Sequence, residues 1–481
     1  MDETATKTGA TRAVSLPVLT AMVVGSMVGA GVFSLPRNFA QATGVLGAVI
    51  AWVIAGVGML MLAFVFQSLA VRKPDLNAGV YAYAKEGFGQ YPGFFSAFGY
   101  WASACVGNVT YWVLIKSTLG LVVPAFGEGA TIAAVVISTA GVWAFHFVIL
   151  RGVREAAKIN QIVTVAKLIP ILLFVVIVAV ALRADVFGAN LWGGTGDSAG
   201  TLFDQIRATM LVTVFVFLGV EGASVYSRYA RRRADVGRAT VLGFLAVLAL
   251  FASVSILSYG VLPKDDLAGL RQPSMGGALE SVVGAWGAGL IGVGLIVSVL
   301  GAYLAWTLMA AEVLFVAAKD DDMPAFLTRE NDRNTPVAAL VMTSALITAV
   351  LFITLFSDDA FTFTLELTSA LSLIPYLLAA GYALRLTLSG ETYDAEPGGR
   401  GKDLAVAALA TFYTAFLIVA AGLKFLLLSC IVYAPGTILF VLTRRERGLR
   451  PFSGPELLLF AVVTAGALLG IAGLVTGRIT I

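Results

Sequence analysis

The chain has 481 residues, 59% of them hydrophobic and only 13% charged, with a formal net charge of +3. A soluble protein carries about 25% charged residues, so this composition, with a mean hydropathy of +0.90, excludes an ordinary soluble domain. The small net charge calls for no nucleic-acid partner. Cys105 and Cys430 both lie in apolar runs, which supports neither a disulfide framework nor a metal site, and no cofactor is expected.

The amino terminus, MDETATKTGATR, is polar and leads into a long apolar run without a cleavage-site pattern. Residues 1–14 therefore read as a cytoplasmic tail, and the run as a retained helix. Apolar spans follow near 15–36, 44–70, 92–123, 129–150, 158–182, 203–227, 239–262, 282–318, 337–356, 361–385, 404–423, 425–443 and 456–476. These are helix-length segments, not the short alternating strands of a barrel. The fold class is an all-α polytopic membrane protein with about thirteen transmembrane helices. Between 404–423 and 425–443, Lys424 is nearly the whole connection.

Lysine and arginine placement orients the chain. With the amino terminus inside, the cytoplasmic segments hold most of these residues, including the clusters RYARRRADVGR (Arg228 to Arg238) and RRERGLR (Arg444 to Arg450). Only Arg37, Arg183, Arg207, Lys264, Arg271, Lys424 and Arg478 fall on the far side. This bias predicts a multi-pass protein of the inner (plasma) membrane, amino terminus cytoplasmic and carboxyl terminus extracytoplasmic. The 228–238 cluster reads first as a topology signal, with lipid or partner binding as the alternative.

The first span contains GSMVGAGVF, from Gly25 to Phe33. Each glycine in a helix interior costs roughly 1 kcal/mol relative to alanine, so this string predicts a break. A close contact between helices is the competing explanation, because Gly25 and Gly29 have G-x-x-x-G spacing. The sixth span carries a second interruption, FVFLGVEGASVYSR, in which Gly219 and Gly222 bracket Glu221. An ionisable residue at that depth costs about 2.5–3.5 kcal/mol on insertion scales and marks function by default. Broken helices in the first and sixth positions predict two inverted repeats, 15–182 and 203–385, with 404–476 as additional helices and substrate bound where the breaks meet.

Unwound backbone in hydrocarbon leaves polar groups that a cavity or a ligand must satisfy. Freed amides near Ala30 and Gly31, at a half-helix amino end, suit a carboxylate. Freed carbonyls near Met27, Phe215 and Leu218 suit an ammonium group. A molecule with both groups on one carbon is an α-amino acid.

The strings GSMVGAGVFSLP, FVFLGVEGASVYS, YWASACVGN, LGAYLAWTL and LIPYLL resemble those of the amino acid–polyamine–organocation superfamily. Within it, the chain is similar to the basic amino acid/polyamine antiporters, most of all to arginine–ornithine antiporters, over roughly residues 15–445. The resemblance implies roles by motif. Ala30 and Gly31 would take the substrate carboxylate, with Ser26 close by, and Met27, Phe215 and Leu218 the α-amino group. Asn108 would bind the distal cationic group, with Ser103 one turn away, Tyr111 near the pocket and Thr368 facing it. Trp306 would pack over the substrate side chain as a movable gate. Tyr100, Glu221 and Tyr376 would form a cytoplasmic-side gate. Two positions depart from the related arginine–agmatine antiporters: Phe215 replaces a tryptophan and Tyr111 a methionine.

Lys167, in TVAKLIPILLF of the fifth span, matches the lysine that proton-coupled members place where sodium-coupled relatives bind a cation. It either couples transport to protons or braces broken helix one through its carbonyls. Glu312 and Glu366 are further intramembrane acids, each able to attract a cationic side chain or to pair with Lys167. His146, the only histidine, reads as structural. The expected activity is secondary transport by alternating access, arginine exchanged for ornithine, and not enzymatic. A proton-coupled amino acid symporter using Lys167 is the alternative. A channel would show a continuous charged or carbonyl-lined pore instead of two offset breaks. The expected partners are small-molecule amino acids and the lipid bilayer, with a homodimer left open.

Overall fold

A computed structural model of the chain describes residues 15–76, 80–151, 167–193, 199–221, 233–393 and 399–481. The described residues are helical apart from turns, loops and one isolated bridge between Glu330 and Pro336. The expected tail 1–14, the first part of the fifth span and most of the basic cluster after Glu221 lie outside the described residues.

The first span is interrupted as its glycines predict. Helix α1 (Leu16–Met27) is followed by a 3₁₀ turn at Gly31–Ser34 and helix α2 (Leu35–Ala42), with a bend of 53° between the two halves. Then come α3 (Val45–Arg72), the short α4 (Val80–Phe88), α5 (Gln90–Leu119), α6 (Ile132–Leu150) and α7 (Leu168–Ala181). The second half holds α8 (Ala199–Phe217), α9 (Arg233–Ser258), α10 (Ser274–Val283), α11 (Ala285–Lys319), α12 (Val337–Ile353) and α13 (Ala360–Ser389). Helices α14 (Arg400–Glu446) and α15 (Gly454–Val475) close the chain.

Among the described residues, 8 helices are long and apolar enough to cross a membrane, or up to 9 with the bent pair α1–α2. This is a multi-pass membrane protein. The expected division near Lys424 falls two positions earlier, where Gly422 (φ 72°, ψ 171°) interrupts α14.

Helix α5 sits at the centre and is buried along almost its whole length, from Tyr91 to Thr118. It packs against α11 and α13, while α3 packs against α8, α9 and α14, and α1 against α9. Hydrocarbon tails are as apolar as leucine, so hydrophobicity alone does not choose partners in a bilayer; close packing and interhelical hydrogen bonds do. The bonds are present: Trp52 of α3 donates to Ser255 of α9 at 2.7 Å, and Trp101 of α5 to Thr343 of α12 at 3.0 Å. His146 shares a hydrogen bond with Ser344 at 2.9 Å in a buried position, the structural role expected of it.

Candidate functional site

The two breaks meet. After Met27 the backbone turns extended at Val28 (φ −74°, ψ 101°). Among the described residues no backbone hydrogen bond holds the amides of Ala30 and Gly31. These amides stand at the amino end of the second half-helix, where the dipole favours an anion. Gly31 has no room for a side chain: a Cβ there would lie 2.6 Å from Val216 and 2.9 Å from Phe215. The end of α8 therefore packs directly on the first break.

Helix α8 stops at Phe217. The Leu218 amide donates to the Phe215 carbonyl at 3.3 Å and the Val220 amide to that of Phe217 at 3.1 Å. Gly219 follows with φ +99°, and a Cβ on it would collide with the Ser26 carbonyl. Met27, Ala30, Gly31, Phe215 and Leu218, drawn from spans nearly 200 residues apart in sequence, thus line one junction. Tyr111 of α5 also reaches it, its hydroxyl 3.4 Å from where a Cβ of Gly29 would stand. The Ser26 hydroxyl turns back to the Val23 carbonyl at 2.8 Å.

Lys167 reaches the same break from the other side. Its ammonium donates to the Gly25 carbonyl at 2.7 Å and the Val28 carbonyl at 2.5 Å. A cation at the carboxyl end of a half-helix satisfies orphan carbonyls and complements the helix dipole, which is the bracing geometry. Neither Glu312 nor Glu366 takes part. Glu312 is exposed and lies in the field of Lys319 and Glu330. Half-buried Glu366 lies in that of Lys424 and Asp359.

Glu221, just past the second break, is buried at 6% exposure and closely surrounded by donors. Tyr100 of α5 donates to Oε1. Tyr376 of α13 donates to Oε2 at 2.8 Å, and the Gly219 amide reaches the same oxygen at 3.2 Å. Helices α5 and α13 are thus tied to one carboxylate beyond the end of α8, and such charge-assisted bonds are about twice as strong as neutral ones. The half-buried Trp306 ring stands 6.5 Å from that of Tyr100, tilted by 41°. The expected gate residues are therefore adjacent.

Asn108 and Ser103 of α5 face α11 and α13. Asn108 donates through Nδ2 to Thr307 at 3.1 Å, while its Oδ1 is buried and has no hydrogen-bond partner among the described residues. That free acceptor suits a donor-only cationic group. The Ser103 hydroxyl, by contrast, is engaged, with Ser372 at 2.5 Å and the Thr368 carbonyl at 2.9 Å. The Thr368 hydroxyl donates to the Thr364 carbonyl at 2.7 Å. Ser103 and Thr368 thus join α5 to α13. Thr307 and Ser372 escape the sequence reading, although Thr307 adjoins Trp306 and Ser372 lies one helical turn after Thr368. Among the described residues no group of three or more His, Cys, Asp or Glu side chains could hold a metal ion.

The family described as amino acid permease matches residues 14–441. The chain is 50% identical over 472 residues to an arginine/ornithine antiporter of Pseudomonas aeruginosa, covering 97% of this chain and 98% of that protein. It is 40% identical over 485 residues to an L-lysine transport protein of Corynebacterium glutamicum, covering 98% and 97%. An arginine/agmatine antiporter of Chlamydia abortus is 37% identical over 428 residues, 88% of each chain. Two apposed helix breaks in a polytopic chain, and a family match over most of its length, have one conclusion: the chain belongs to the amino acid permease family.

Proposed function

We propose that this protein exchanges a cationic amino acid for a related cation by alternating access, arginine for ornithine, without sodium and without enzymatic chemistry. The observation that carries this reading is the apposition of the two breaks at Ser26 and Gly219, with amides at Ala30 and Gly31 that no backbone carbonyl among the described residues holds. The substrate carboxylate binds those amides, beside Ser26, and its ammonium group binds carbonyls of Met27, Phe215 and Leu218. Asn108 accepts from the distal cation, in a pocket completed by Ser103, Tyr111 and Thr368, and Trp306 covers the side chain. Release toward the cytoplasm requires Glu221 to part from Tyr100 and Tyr376. The antiporter of P. aeruginosa supports the substrate pair.

The helices form two inverted repeats, 15–182 and 203–385, followed by 404–476, about thirteen spans in all. The positive-inside bias supports a cytoplasmic amino terminus and an extracytoplasmic carboxyl terminus in the inner membrane. The protein works in the bilayer, and a homodimer is compatible with the exposed apolar faces of α14 and α15. A proton-coupled symporter is the second reading, favoured by the ammonium of Lys167 at the first break.

Proteoliposomes separate the two. Arginine uptake should require internal ornithine and persist after a protonophore is added. Uptake into empty vesicles, driven by acid outside, would overturn the exchanger.

A further inference from the structure

Away from the two breaks, four helix ends surround a groove of about 1020 Å³. The carboxyl ends of α3 and α13 and the amino ends of α9 and α14 form it. Its wall is mainly apolar, with side chains such as Phe64, Val241 and Leu242 beside the polar Gln67, Ser68 and Thr387. Its rim carries Arg72, Arg238 and Lys402 against one carboxylate, Asp403.

That carboxylate is already neutralised. Arg72 donates to it from Nε at 3.0 Å and Nη2 at 2.9 Å, and Tyr393 from its hydroxyl at 2.8 Å. The Arg72 guanidinium also lies 3.6 Å from the centre of the Tyr393 ring. Arg238 and Lys402 are exposed and have no ion-pair partner among the described residues. Among the described residues the rim therefore presents two cations without an ion-pair partner.

The groove also lies at the right depth. Helix α3 has 28 residues and ends at Arg72, and a helix of that length spans about 42 Å, from the hydrocarbon core to the headgroups. Leu242, on the wall, is 52% exposed and faces outward between apolar helices. A soluble phosphate ester would use the cations and leave this apolar wall uncovered.

We infer that the groove binds an anionic phospholipid, its phosphate held by Arg238 and Lys402 and its acyl chains along Phe64 and Leu242. Basic pockets between transmembrane helices are suited to such headgroups. Occupancy ties α9 to α13 and α14. Helix α9 in turn touches α1 one turn before the break, where a Cβ on Gly243 would lie 2.8 Å from Val23. The lipid thus holds the helix that carries the first half of the site. The inference depends on the multi-pass architecture and not on which amino acid is carried.

The test is native mass spectrometry of the full-length protein released from nanodiscs of phosphatidylcholine and phosphatidylglycerol. Wild type should retain phosphatidylglycerol in preference to phosphatidylcholine. The double variant Arg238→Gln with Lys402→Gln should retain it roughly 30-fold less, at about 1 kcal/mol for each basic side chain. Equal retention by wild type and variant, or no preference for the anionic lipid, overturns the assignment. Glycerol phosphate in excess should leave the lipid in place; displacement would assign the groove to soluble phosphate esters instead. Should the neutral variant unfold, Arg238→Lys with Lys402→Arg decides: retention as in wild type supports the site, and its loss overturns it.

Discussion

Gly219 rests against the backbone carbonyl of Ser26, so closely that a Cβ on Gly219 would collide with it. The first residue lies past the end of one broken helix and the second near the end of the other. Their contact leaves no room for a side chain, and it brings polar backbone from both breaks to one point inside the membrane.

Gly219→Ala should therefore disrupt the junction in two ways. At φ +99° a side chain is disfavoured by about 1–2 kcal/mol, and the methyl group also meets the Ser26 carbonyl. Exchange in proteoliposomes should fall at least about tenfold, 1.4 kcal/mol. Wild-type exchange by this variant would contradict the contact.

Tyr376→Phe removes one donor to Glu221 at a buried position. A hydrogen bond to a charged group contributes about 1.5–3 kcal/mol, so the proposed gate should open about ten- to a hundredfold more often. Hydrogen exchange at the Gly219 amide, which donates to the same carboxylate, should accelerate to match. Unchanged protection would show that Tyr376 does not latch the gate.

Lys167→Met leaves the Gly25 and Val28 carbonyls without their shared ammonium. Each buried group so orphaned costs about 1–3 kcal/mol. The thermal melt should shift down and exchange should be lost, with Lys167→Arg restoring part of both. A melt equal to wild type would show that the bracing is not structural.

Trp306→Ala should weaken arginine binding by roughly 30-fold, the equivalent of about 2 kcal/mol for a desolvated cation over an aromatic ring. Isothermal titration in detergent reads this directly. Normal affinity and turnover would remove Trp306 from the site.

Outside the membrane, Asp322 pairs with Lys85 at 2.8 Å. Burial nevertheless raises its carboxyl above the usual range, against the opposing pull of Lys85. A raised folded-state value means that its stabilising contribution is present at low pH and is lost as pH rises through that value. Asp322→Asn should thus gain stability relative to wild type as pH climbs above about 4, the ordinary carboxyl value. Melting curves across that range test the sign, and a constant difference would refute it.

Much of this protein was legible without coordinates because membrane insertion writes its demands locally. Apolar runs mark the spans, and the glycines around Ala30 and Glu221 mark the breaks. A charged residue or a helix breaker in hydrocarbon is costly wherever it packs. The partners of those groups are not local. Tyr100 and Tyr376 lie 121 and 155 residues from Glu221; the family resemblance linked them, and span topology put all three on the cytoplasmic side of the break, but neither gave the bonds. Lys167 could be placed in hydrocarbon from the sequence, but its partners, the Gly25 and Val28 carbonyls, could not. Ser103, chosen for the substrate, proved to be bonded to α13. Hydropathy and backbone propensity are properties of short segments, so the sequence by itself determined the membrane class, the two interruptions and the residue types of the site. Which carbonyl meets which ammonium, and which hydroxyl stays free, depends on helices from distant segments packing together, and that the tertiary structure alone decided.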